Sequence, residues 1–186
     1  RLAWYSKGDG DADDAAWSGA PIAFPLIQGI DVCGQIVATG EGVDPKRIGE
    51  RVLIEPCLLE ANGERLKTPW FLGSECNGGF ADYTRVASRH AYRIVSDLTD
   101  AQLASFPCSY STAENMLTRT NVGPDDTVLI TGASGGVGSA AIQLARARGA
   151  TVIAVTSPSK AETLKSLGAI RTVDRSNDLI AELGRN

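Results

Sequence analysis

A cluster of glycines between Ile130 and Gly138 has the residue types and the spacing that a phosphate-binding turn requires. The segment ITGASGGVG follows a β-branched run and leads into a helix-forming stretch of small residues. In a dinucleotide-binding turn, one glycine makes the tight turn, a second lets the backbone approach the pyrophosphate, and a third lets the helix pack on the strand. Gly135 and Gly138 fit the second and third roles, whereas Ala133 occupies the first position and Gly132 is displaced from it by one. The predicted pyrophosphate-binding residues are Ala133, Ser134, Gly135, Gly136, Val137 and Gly138, and the alternative is a tight turn without a ligand.

The residues at the end of the next β-branched run determine which nucleotide such a turn would hold. An NAD site needs Asp or Glu about 20 residues after the glycines, where the carboxylate accepts hydrogen bonds from the ribose 2′-OH. This chain has Thr156, Ser157, Ser159 and Lys160 in that region, and its first acid there is Glu162. Hydroxyls and a cation attract a 2′-phosphate, which a carboxylate would repel. NADPH is therefore the predicted cofactor. The alternative is that the serines cap a helix and Lys160 is a solvated surface residue.

The elements that would hold these residues alternate between strand and helix. The segments DDTVLITG, TVIAVTS and AIRTVD predict buried strands, and residues 138–148 and 158–167 predict helices. This alternation indicates right-handed βαβ units in a parallel sheet. Helices are also predicted over SDLTDAQLA and over 112–119.

The N-terminal part of the chain has a different pattern. Short β-branched runs separated by turn residues predict an all-β, barrel-like module, with strands in IDVCGQIVATG, RVLIEP, GGFADYTRVAS and YRIV. The predicted fold class is α/β.

Composition excludes several classes of partner. The formal charge of -4 and the isoelectric point near 5.0 argue against binding to nucleic acid or to an anionic membrane. No apolar run approaches the roughly 20 residues that span a bilayer. The four cysteines form no CxxC pair and are too widely spaced for a disulfide framework or a structural zinc site. A reduced, cytoplasmic setting is expected.

Six motifs occur in an order that resembles a known superfamily: GIDVCGQIVATGEGV, IGERV, GGFADY, CSYSTAENML, ITGASGGVG and SKAETLKSLGA. Over roughly Gln28 to Asp174, the chain resembles the medium-chain dehydrogenases/reductases, which include zinc alcohol dehydrogenases and zinc-free quinone reductases. The resemblance implies a partial GroES-like β-barrel substrate domain over residues 1–108. It also implies the first half of a Rossmann doubly wound parallel sheet over residues 109–186. We expect the sequence to be an internal portion of a longer protein that forms a homodimer or homotetramer.

The resemblance also bears on a catalytic metal. Zinc alcohol dehydrogenases have a Gly-His-Glu triplet where this chain has Gly29-Ile30-Asp31, so an aliphatic side chain replaces the imidazole ligand. Cys108 occupies the position of another zinc ligand, and Asp31 keeps an acid beside the site. A catalytic zinc needs three protein ligands and an open position, so no metal site is predicted. Cys108 is expected to line the cleft, with a redox-reactive thiol as the alternative. His90, the one histidine, is expected at the surface or at a strand edge.

Without a metal, hydride transfer needs orientation and a polar group that stabilises the developing enolate oxygen. By motif position, the candidate catalytic residues are Tyr110, Thr112 and Asp31. Packing is the alternative role for Tyr110, and a plain helix hydroxyl is the alternative for Thr112. The resemblance implies a zinc-independent, NADPH-dependent reductase of a small-molecule quinone or α,β-unsaturated carbonyl. A zinc-type alcohol dehydrogenase and a non-catalytic NADPH-binding regulatory protein remain alternatives, and the sequence does not identify the substrate.

Overall fold

The computed structural model describes residue 22 and residues 24–184 of the chain. The chain divides into two compact units, residues 1–108 and residues 109–186. Within the described residues, no helix combines the length and the apolar character needed to cross a membrane.

The described residues of the first unit form five strands, arranged as an antiparallel sheet and a separate hairpin. The sheet has the order β1-β2-β5, and the hairpin pairs β3 with β4. The strands are β1 (Cys33–Gln35), β2 (Arg51–Ile54), β3 (Cys57–Ala61), β4 (Glu64–Phe71) and β5 (Ala91–Arg93). Alternate residues of β2, Val52 and Ile54, are buried, and Ile54 packs with Leu58 and Leu72 in the core of this unit. The described strands thus form an open sheet and a hairpin rather than a closed barrel.

In this unit, one strand prediction is wrong and one observed hairpin has no counterpart among the predictions. The segment GGFADYTRVAS was predicted as a strand, and this is wrong, because residues 78–88 contain no strand. The β3–β4 hairpin was not predicted. Its turn is formed by Asn62 and Gly63, which have φ angles of 54° and 81°. An Asn-Gly pair between two runs of alternating residues is a strong hairpin signal, because both residues accept positive φ.

Close backbone contacts fix the chain just before Asp31. The Phe80 N–H donates to the Gln28 carbonyl, and the Gly79 N–H donates to the Gly29 carbonyl, both at 2.8 Å. A Cβ added to Gly29, whose φ is 105°, would lie 2.8 Å from the Phe80 nitrogen. Only glycine fits so near a neighbouring backbone at that φ. The GGF segment therefore braces the turn that leads into Asp31.

The second unit is a three-stranded parallel sheet with helices packed against it. The sheet order is β6-β7-β8, and its strands are β6 (Thr127–Ile130), β7 (Thr151–Thr156) and β8 (Arg171–Asp174). The helices are α1 (Asp100–Leu103) in the first unit, then α2 (Pro107–Arg119), α3 (Gly136–Ala147), α4 (Ala161–Leu167) and α5 (Leu179–Leu183). Ile130, Val152 and Ile142 pack together in the core between sheet and helices.

The predicted βαβ pattern is confirmed by these elements, although several helix boundaries are shifted. Helix α2 begins at Pro107, five residues before the predicted start. The predicted helix over 158–167 begins as a short 3-10 turn, Pro158–Lys160, before α4. The boundary of α2 matters for the site because it places Cys108 and Ser109 in the first helical turn.

Candidate functional site

The glycine turn joins β6 to α3 and leaves the N-terminus of that helix uncapped. Gly132 has a φ of 58°, so it makes the tight turn despite its displacement from the expected position. Gly135 is the N-cap residue of α3 and provides no side-chain hydrogen bond. The first N–H groups of a helix have no intrahelical partner and carry partial positive charge. This end of α3 can therefore bind an anion.

Gly138 lets α3 approach the turn closely. A Cβ at Gly138 would lie 2.5 Å from the Gly132 carbonyl oxygen and 2.7 Å from the Ala133 Cα. These atoms belong to the backbone, so a side chain could not be accommodated without moving the helix. The geometry gives Gly138 the packing role that the sequence pattern assigns to a third glycine.

The other five predicted pyrophosphate-binding residues fall into two groups. Ala133 is fully buried, and its N–H donates to the Val155 carbonyl at 3.4 Å. Val137 is half-buried against the core. These two residues anchor the turn to the core of the second unit. Ser134, Gly135 and Gly136 are exposed, so they are the ones whose polar groups a ligand can reach.

The predicted 2′-phosphate residues meet beside this turn. The carboxyl ends of parallel strands lie at one edge of the sheet, so the residues after β7 are placed next to those after β6. Lys160 Nζ donates to Ser134 Oγ over 3.5 Å, and the hydroxyls of Ser157 and Ser159 lie 3.3 Å apart. The helix-capping alternative does not describe Ser157, whose side chain makes no capping hydrogen bond. We refer to Ser134, Ser157, Ser159 and Lys160 as the hydroxyl–lysine cluster.

Thr156 lies at the end of β7 and is the most buried of the predicted cofactor residues on this strand. Its side chain is 4% exposed, and its hydroxyl has no hydrogen-bond partner within the described part of the chain. A buried hydroxyl without a partner costs free energy unless a ligand or water satisfies it. The orphaned oxygen fits a site that a polar ligand completes.

The charge of the cluster is positive. Lys160 takes part in no ion pair among the described residues. Glu162, the nearest acid along the chain, pairs instead with Lys165 at 2.8 Å. Lys160 therefore keeps its charge available to an anionic group next to Ser134.

The structure gives the two candidate catalytic residues of α2 different surroundings. The Tyr110 hydroxyl accepts a hydrogen bond from Gln143 Nε2 at 2.8 Å, and its ring packs against the core of the second unit. Thr112 is half-buried and lines a shallow groove with Asn115 and Met116. Tyr110 thus makes the packing contacts that its alternative, structural role requires. A catalytic role for either residue remains a prediction.

Asp31 and Cys108 meet although 77 positions separate them in the sequence. The Cys108 backbone N–H donates to Asp31 Oδ1 at 2.7 Å. Burial raises the pKa of the Asp31 carboxyl above its usual value, and this hydrogen bond partly opposes the rise. This hydrogen bond therefore fixes the Asp31 carboxyl beside Cys108, the last residue of the first unit.

His90 corrects one expectation. It is the last residue of the 3-10 turn Ser88–His90, directly before β5, and it is only 4% exposed, so the surface part of the prediction is wrong. Its Nε2 accepts a hydrogen bond from the Leu59 N–H at 3.2 Å. This hydrogen bond gives His90 a structural role, because it attaches the buried imidazole to β3.

Sequence reasoning missed Ser109. Its Oγ lies 2.6 Å from the position that a Cβ on Gly136 would occupy. The two residues are 27 positions apart on different helices, so no local pattern could show that they meet. Only the packing of α2 against the glycine turn brings this hydroxyl to the predicted pyrophosphate site.

Both parts of the chain are similar to known proteins. A family model described as alcohol dehydrogenase GroES-like domain matches residues 9–96, and one described as zinc-binding dehydrogenase matches residues 136–185. The chain is 32% identical over 81% of its length to acryloyl-coenzyme A reductase of Metallosphaera sedula. It is also 32% identical over 86% of its length to the chloroplastic NADPH-dependent alkenal/one oxidoreductase of Arabidopsis thaliana.

Solved structures show the same likeness. A crystal structure of a candidate alcohol dehydrogenase from Sinorhizobium meliloti 1021 is 46% identical and superposes with a TM-score of 0.79. The match covers 87% of this chain and 45% of that one. The chain covers 48% and 39% of the two curated relatives named above, so it spans about half the length of the proteins it matches.

Proposed function

Because the chain belongs to the medium-chain dehydrogenase/reductase superfamily, we propose that the protein is an NADPH-dependent oxidoreductase that works without catalytic zinc. Its proposed substrate is a small quinone or α,β-unsaturated carbonyl compound. The observation that carries the proposal is the hydroxyl–lysine cluster beside the glycine turn. There, Lys160 and Ser134 are in contact, and the acid that NAD sites use is missing from the end of β7.

The cofactor preference follows from charge and hydrogen-bonding capacity. A 2′-phosphate presents several acceptor oxygens and a negative charge. Hydroxyls at Ser157 and Ser159 can donate to those oxygens, and the unpaired charge of Lys160 attracts them. The free N–H groups at the start of α3 can hold the pyrophosphate at the same edge of the sheet.

In this proposal, the residues of this chain bind and orient the cofactor and form no covalent bond to the substrate. NADPH supplies a hydride when bound, which an electron-poor substrate carbon accepts, while a proton from solvent completes the reduction. The uncapped α3 and the hydroxyl–lysine cluster would hold the adenosine diphosphate part. Ile30 in place of an imidazole supports chemistry without zinc, because the visible ligand set falls to Cys108 and the neighbouring Asp31.

One alternative has an observation of its own. The model that matches residues 136–185 is described as zinc-binding dehydrogenase, and the Sinorhizobium structure is named after alcohol dehydrogenase activity. A zinc-type alcohol dehydrogenase is therefore the second candidate. It differs from the first in needing a tightly bound metal for turnover.

We expect the purified protein to reduce members of a quinone and enone panel with NADPH after dialysis against a chelator. The reason is that hydride transfer to such substrates needs no Lewis acid when a polar group stabilises the developing oxygen anion. Turnover and zinc content are measured on the same preparation. Stoichiometric zinc, with activity that is lost on its removal and restored by its return, would instead establish the alcohol dehydrogenase.

Lys160→Ala is expected to weaken NADPH binding about tenfold and to leave NADH binding unchanged. One charge-assisted hydrogen bond contributes about 1.4 kcal/mol, which corresponds to that factor. Dissociation constants from fluorescence titration give the comparison. The matched control is Lys165→Ala, whose charge is already paired with Glu162, and it should affect neither cofactor. Equal losses of NADPH and NADH in Lys160→Ala would contradict the assignment.

A further inference from the structure

Ser109 lies in the first turn of α2 and faces the first residue of α3. Its Oγ is 2.6 Å, and its Cβ 3.6 Å, from the position that a Cβ on Gly136 would occupy. The hydroxyl can come this near only because Gly136 has no side chain. A third element, besides β6 and β7, thus brings a polar group to the glycine turn.

The Ser109 hydroxyl differs from its polar neighbours in its hydrogen bonding. The Ser139 hydroxyl donates to the Gly136 carbonyl at 3.0 Å, and Gln143 Nε2 donates to Tyr110 and to the Ser139 carbonyl. Ser109 is half-buried, and its hydroxyl makes no hydrogen bond to any residue that the structure describes. Its one proton donor therefore has no acceptor among the described residues.

The surroundings of this hydroxyl are suited to an anion. The N-cap residue of α3, Gly135, contributes no side-chain acceptor, so the first-turn N–H groups remain free. A serine O–H next to free N–H groups adds a donor of the same polarity, and donors that converge on one point bind a phosphate oxygen. We do not assign the 2′-phosphate to the Ser109 hydroxyl. The hydroxyl–lysine cluster would hold that group, and this cluster consists of Ser134 and residues that follow β7.

We propose that the Ser109 hydroxyl donates a hydrogen bond directly to the pyrophosphate of the bound dinucleotide. The proposal rests on the proposed function in that it places a dinucleotide at the glycine turn. It does not depend on the preference for NADPH, since the pyrophosphate is common to NADPH and NADH. Ser109 is thus a binding residue that orients the cofactor from α2.

The test is Ser109→Ala, titrated with NADPH, NADH, ADP-ribose and adenosine 2′-phosphate. NADPH, NADH and ADP-ribose contain the pyrophosphate, and we expect their dissociation constants to rise by the same factor, about ten. Adenosine 2′-phosphate lacks the pyrophosphate, so its dissociation constant should stay unchanged. The matched control is Ser111→Ala, which removes a hydroxyl two residues along the same helix, about 200° around its axis. It should bind all four ligands as the native protein does.

The readout is the ratio of ADP-ribose affinity to adenosine 2′-phosphate affinity. A variant that merely folds poorly has fewer competent molecules for both ligands, so this ratio would not change. An unchanged ratio, or a loss confined to NADPH and adenosine 2′-phosphate, would overturn the proposal. Failure of the NADPH preference appears separately, as equal losses of NADPH and NADH in Lys160→Ala.

Discussion

His90 shows how one side chain can be committed to structure although its type suggests chemistry. Its imidazole is buried, and Nε2 accepts a hydrogen bond from Leu59, which requires the neutral ring. Burial lowers the pKa of His90 below 6.5, and the charge of Arg89 lowers it further. Glu55 and Glu60 oppose this shift but do not cancel it. Neutral His90 therefore stabilises the first unit.

The stability of the first unit should fall as the pH falls below about 6.5. The unfolded chain binds a proton at His90 near that pH, whereas the folded chain does so only at lower pH, so acid favours unfolding. The free energy of unfolding is measured by denaturant titration at about pH 7.5 and about pH 5.5. His90→Gln keeps an acceptor but cannot titrate, and it should lose less stability between the two pH values. An equal loss in both proteins would show that His90 is not the titrating group.

Asp31 is a second residue whose contacts could not be predicted from the sequence. Its position in the GID triplet identified it as a candidate by resemblance. Its contact with the Cys108 N–H depends on the folding of the chain between them. The catalytic part of that prediction stays a prediction, whereas its place beside the Cys108 N–H is a property of the structure.

At the scale of elements, the strand–turn–helix unit around the glycines carries the proposed site. The turn is tight because Gly132 adopts positive φ, and α3 sits close because Gly138 has no side chain. Both conditions concern the backbone, so they can be recognised from residue type and spacing alone. This is why the pattern located the site before any contact was known.

Gly138→Ala should destabilise the second unit and weaken dinucleotide binding. The added Cβ would overlap the Gly132 carbonyl and the Ala133 backbone, and overpacking of this kind costs about 1–3 kcal/mol. The free energy of unfolding and the dissociation constant for NADPH are the measurements. Gly123→Ala is the control in the same unit, because nothing lies within 4 Å of its added Cβ. A Gly138→Ala protein as stable as this control would contradict the close approach.

At the scale of the whole molecule, the two units have separate cores. Ile54, Leu58 and Leu72 form one, and the larger core of the second unit lies between its sheet and helices. Among the described residues, β6 pairs only with β7, and Leu129 on β6 is 43% exposed. Strands of a parallel sheet are usually covered on both faces. The homodimer or homotetramer expected from the resemblance remains a prediction for the protein as a whole.

The sequence by itself determined the elements whose cause is local. Alternation of β-branched runs with helical stretches predicted β6, β7 and β8 and the helices between them. The run of hydroxyls ending at Lys160 favoured NADPH, and this preference stays a prediction. Hydrophobic periodicity, turn glycines and charge act over a few residues, so they can be recognised without the fold. The Asn62–Gly63 turn carried the same kind of local signal for the hairpin, although its strands were not predicted.

The tertiary structure alone decided which distant residues meet. It buried His90, joined Tyr110 to Gln143, brought Cys108 to Asp31 and placed Ser109 against Gly136. Each of these contacts joins residues at least 27 positions apart, or depends on how strands from different parts of the chain pack. Such contacts are set by the packing of whole elements, which depends on many side chains at once and leaves no signature at either residue.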